Sequence, residues 1–101
     1  GIALAGAAGQ SVLASAAGQV SYVGNSLRGY GKMIVIKHNK MFLSVYARNG
    51  KVFVKEGQNV GKGQTIAEMG DTDAEGVVLR FEIRRYGKPV DPLKYLPNGA
   101  S

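Results

Sequence analysis

The stretch VVLRFEIRR, residues 77–85, carries Arg80, Glu82 and Arg84 at alternate positions. Successive side chains of a β-strand face opposite ways, so these three share one face with Val78. Leu79, Phe81 and Ile83 then point into a core. Two guanidinium groups beside one carboxylate can hold an anion. The same trio predicts Glu82 ion-paired to both arginines and a poor proton donor at neutral pH.

Other chemistry is thinly supplied. The chain has one His and no Cys, whereas zinc asks for several His, Cys or carboxylate ligands in tetrahedral geometry. His38 ends the apolar run MIVIKH, which predicts a hydrogen-bonded structural histidine and not a ligand. Asp71, Asp73 and Glu75 fall in DTDAEG, a solvated acidic loop by composition. Ser–His–Asp catalysis would need His38, and no G-x-S-x-G turn is present to present a nucleophile. The glycines of GQNVGKGQ lack the G-x-x-x-x-G-K-[ST] spacing of a phosphate loop and read as turns. Tyr22, Tyr30, Tyr46 and Tyr86 lie on different elements, so no aromatic and basic face for nucleic acid is formed. These residues make a binding surface, not a catalytic one.

The elements that must position that surface are short strands. VSYVGN runs into a turn, and GNSLRGYGK, with three glycines around Arg28 and Tyr30, reads as a loop. MIVIKH and MFLSVYAR form a hairpin about Asn39–Lys40. In VFVKEGQNVGKGQTIAEMGD, apolar alternation is broken by Gly57, Gly61 and Gly63 into strands and tight turns. The opening GIALAGAAGQSVLASAAGQ predicts a pair of short strands, and YGKP turns the chain after the arginine row. No segment holds a helical period. The fold class is all-β, a small antiparallel sandwich of short strands.

Composition agrees. The chain has 101 residues, fifteen of them glycine, and this suits one β-rich domain with a single modest core. No apolar run reaches the roughly 18 residues of a membrane span. A net charge of +6 favours acidic partners: an anionic glycan, an anionic lipid surface, a nucleic acid or an acidic protein face.

VSYVGNSLRGYGKMIVIKHN, SVYARN, VKEGQNVGKGQTIAEMG and LRFEIRRYGKPVDPLKYLP together resemble the LytM-type (lysostaphin-type) zinc endopeptidases of bacterial cell walls. The resemblance covers nearly the whole chain, and it is the ordered set that is specific. It implies a barrel-sandwich-like β-domain over 1–101, the C-terminal part of a longer chain. Active relatives take zinc from H-x-G-x-D and from the second His of H-x-H. By the resemblance Ala3 stands at the ligand Asp, Arg80 at the ligand His and Val78 at a catalytic His. Arg48, in YARN, stands at the further catalytic His, and His38 at a position that is not a ligand. The implication is a pseudoenzyme with no cofactor, no metal and no catalytic residue. Its groove of Arg28, Tyr30, Arg48, Val78, Arg80 and Glu82 then binds a partner.

Degenerate members of the family activate periplasmic N-acetylmuramoyl-L-alanine amidases in septal peptidoglycan splitting. The expectation is therefore the same role in a Gram-negative periplasm, on a chain anchored to the outer membrane. The domain itself is expected to touch neither membrane nor nucleic acid. Direct peptidoglycan binding without a protein partner is the alternative, and residual endopeptidase activity a third. A biotinyl or lipoyl carrier would share the pattern from Val54 to Met69, but it needs a lysine directly after the methionine, and Gly70 follows Met69 here.

Overall fold

The computed structural model describes residues 2–25, 31–70, 78–86 and 88–90. All the regular structure among them is β: β1 (Ile2–Ala5), β2 (Ser11–Leu13), β3 (Gly18–Gly24), β4 (Lys32–Lys37), β5 (Phe42–Val52), β6 (Asn59–Val60), β7 (Thr65–Met69), β8 (Val78–Arg85) and β9 (Lys88–Val90). Every pairing is antiparallel. The main sheet runs β1-β8-β5-β4-β3-β6. β7 pairs with the far end of β5 and carries β2, and β9 extends β8.

β5 is longer than the sequence suggests. The alternating pattern ends at Arg48, yet the strand continues to Val52. It does so by slipping register twice, once opposite β4 and once opposite β7. Such bulges bend a strand and raise its twist. β5 thereby serves the main sheet with its first half and β7 with its second.

The core lies on one side of the main sheet. Val20, Ile34, Ile36, Tyr46, Leu79, Phe81 and Ile83 pack there with Val12, Val54, Ile66 and Met69 from the second layer. Leu79, Phe81 and Ile83 are all buried, as their alternation requires. A smaller apolar cluster, Met33, Val45 and Ala47 with Tyr22 and Val35, covers the opposite face of β3, β4 and β5. That face carries the arginine row.

Three turns share one local rule. In AAGQ (7–10), KEGQ (55–58) and GKGQ (61–64) the third residue is a glycine at φ 84°, 90° and 79°. The fourth is a glutamine whose Oε1 accepts the N–H of the first, at 3.1, 3.2 and 3.0 Å. Positive φ at the third position admits glycine with least cost. Asn39 closes the β4–β5 hairpin in a related way, its Oδ1 accepting from the N–H groups of Met41 and Phe42.

Candidate partner-binding groove

Strand register decides which residues stand abreast. Ala3 on β1 pairs with Arg80 on β8, and Arg80 pairs with Ala47 on β5. The next row brings Glu82 beside Val45, Val45 beside Val35, and Val35 beside Tyr22. The floor of this face is thus apolar and its charges come from β8. Ala3 and Arg80, far apart in the sequence, are cross-strand neighbours.

The three charged residues do not share one environment. Arg80 is exposed, Arg84 is half-buried and Glu82 is 5% exposed. Arg84 donates from Nε and Nη2 to Oε1 of Glu82, at 3.0 and 2.8 Å. The expected pairing of Glu82 with Arg80 is not formed: among the described residues Arg80 has no ion-pair partner. The buried carboxylate, on the strand position paired with Val45, takes its fork from Arg84, and among the described residues Arg80 is left without an ion pair. Glu82 is therefore buried on this face and not an exposed contact.

Arg48 is half-buried and directly follows Ala47, with φ 67°. Val78 opens β8 opposite Ala5. Arg28 and Tyr30, expected on the rim, lie outside the described residues. Asn49 was not expected at all. It is 1% exposed, and its Nδ2 donates to the carbonyls of Lys32 and Tyr46, both at 2.9 Å. A buried carboxamide in a strand pattern that has just lost its alternation is the signal that marks it.

The row does not suit the zinc that the fold implies. Ala3 offers a methyl group, and Arg80 a fixed positive charge with no lone pair. Among the described residues no three His, Cys, Asp or Glu stand close enough to hold a metal ion. His38 is engaged elsewhere. Its Nδ1 lies 2.8 Å from the Ala17 carbonyl and its Nε2 lies 2.7 Å from Ser44 Oγ. Ser44 Oγ meets the Tyr46 hydroxyl at 2.8 Å, and that hydroxyl meets Ser15 Oγ at 3.0 Å. Ser44 and Tyr46 are each 1% exposed, so this chain ties strands together inside the core. His38 is the structural histidine its position suggested.

Residues 1–92 match the profile of peptidase family M23. The chain belongs to that family. It is 57% identical over 97 residues to the lipoprotein NlpD/LppB homolog of Pseudomonas aeruginosa, covering 96% of this chain and 33% of that protein. It is 54% identical to the murein hydrolase activator NlpD of Escherichia coli, covering 96% of this chain and 26% of that protein. The chain thus spans a third or less of those two relatives. Lysostaphin from Staphylococcus simulans superposes with a TM-score of 0.89 at 26% identity, over all of this chain and 45% of lysostaphin. A zinc-containing peptidase from Vibrio cholerae gives 0.81 at 35% identity, over 88% of this chain and 28% of that one. The LytM-type fold expected from the sequence is the fold of this M23 domain.

Proposed function

We propose that this M23 domain is a non-catalytic activator of periplasmic N-acetylmuramoyl-L-alanine amidases, acting through the groove. The carrying observation is the row Ala3–Arg80–Ala47, where an exposed arginine, without an ion-pair partner among the described residues, stands where the resemblance puts a ligand. An arginine in a groove floored by Tyr22, Val35 and Val45 seeks a carboxylate flanked by apolar side chains. The name murein hydrolase activator, borne by a relative 54% identical, supports activation over cutting. The lipoprotein names and Gram-negative sources of the relatives support a periplasmic place on an outer-membrane-anchored chain.

The test is dye release from labelled sacculi. The domain alone releases nothing, and a periplasmic amidase releases dye faster when the domain is added. Release by the domain alone, or no effect on any such amidase, overturns the reading.

The net charge of +6 favours one second reading, direct binding of anionic peptidoglycan by the same face. On that reading the domain pellets with sacculi in the absence of amidase and leaves amidase rates unchanged.

A further inference from the structure

β5 carries one residue too many opposite β4. Tyr46 pairs with Ile34 and Asn49 with Lys32, so Ala47 and Arg48 together face the single residue Met33. Arg48 is the extra residue and sits in the left-handed region at φ 67°. A strand with unbroken alternation would aim Arg48 to the core side with Tyr46, because Ala47 lies on the groove side. The bulge resets the count. Asn49 takes the buried place at 1% exposure, and Arg48 stays half-buried.

Left-handed backbone is unfavourable for an arginine and persists only where its surroundings hold it. Asn49 does so. The Asn49 amide straps the bulge at both ends, bonding the Tyr46 carbonyl before it and the Lys32 carbonyl across from it. Asn49 does this at a loss, since its Oδ1 is buried and has no hydrogen-bond partner among the described residues. Two local costs at adjacent residues mark a conformation kept for use and not for stability.

We infer that Asn49 is the positioning residue that delivers Arg48 to the groove, and that Arg48 is a second cationic contact, beside Arg80, for an acidic partner. The inference rests on the groove reading above. It is tested by a double-mutant cycle with the amidase, scoring the domain concentration that gives half-maximal activation. Arg48→Ala should raise that concentration roughly tenfold or more, as loss of a charged hydrogen bond does. Asn49→Ala should do the same, and the double variant should be no worse than Arg48→Ala. Asn49→Asp keeps the shape, cannot donate, and should behave like the alanine variant. Both single variants should show the same weakened salt dependence, which a general loosening of the fold would not reproduce.

Asn49→Ser keeps one donor and carries the cycle if the alanine variant melts below the assay temperature. Additive losses at Arg48 and Asn49 overturn the inference. So does normal activation by Arg48→Ala. In that case a parallel Arg80→Glu variant tells which reading failed: loss of activation there leaves the groove standing, and normal activation removes it as well.

Discussion

Burial separates residues that spacing made equivalent. Arg80, Glu82 and Arg84 fall on one face, yet of the two arginines it is Arg84 that bonds the carboxylate. Arg84→Ala should destabilise the domain by about 1–3 kcal/mol, because it strips a buried acceptor of its charged donors. Arg80→Ala should shift stability by less than about 0.5 kcal/mol, as an exposed side chain away from any bond does. Chemical denaturation of the two variants checks this order, and equal losses would mean that Arg80 also braces the fold. Which arginine Glu82 takes was not legible in the sequence. Both stand two positions away, so strand alternation makes them equivalent, and the side-chain conformations that separate them carry no signal in the spacing.

Elements show the same split between what pattern carries and what packing decides. Strand alternation gave the core side of β8 and the β4–β5 hairpin correctly, and glycine spacing marked the turns. The repeated Gly-Gln turn was on the page as AAGQ, KEGQ and GKGQ, but its meaning depends on a side-chain bond that no propensity reports. The β5 bulge escaped for another reason: a left-handed arginine is a tertiary override of local preference, written into Asn49 and not into Arg48. The His38 chain belongs here too, since it joins the end of β4, the middle of β5 and the segment after β2. A carbonyl can only accept, so Nδ1 of His38 carries its proton. Long-range nitrogen NMR should find the Nδ1–H tautomer. Tyr46→Phe removes the hydroxyl that accepts the Ser15 N–H and links Ser44 to Ser15. It should cost about 1–3 kcal/mol, read as a fall in melting temperature of roughly 4–8 °C per kcal/mol. An unchanged melting curve would show that these bonds contribute little.

At the scale of the molecule, the chain keeps the M23 architecture while its central row holds a methyl and a guanidinium. Elemental analysis after dialysis should find well under one zinc per chain. Restoring the family residues at the positions that this sequence covers, with Ala3→Asp, Arg48→His, Val78→His and Arg80→His, supplies two of the three ligands and should give weak zinc binding at most. Ligands need outer partners to fix their tautomers, and losing these typically costs about 10–100-fold in affinity or activity. Vigorous wall hydrolysis by the quadruple variant would show that the supporting shell had survived. The domain's excess of cations should make any complex with an acidic partner weaken as salt rises. The most direct test of the groove is Arg80→Glu in the amidase dye-release assay, with its melting temperature measured alongside. Activation should be abolished while the melting temperature stays within a few degrees of wild type; a folded variant that activates normally would contradict the account.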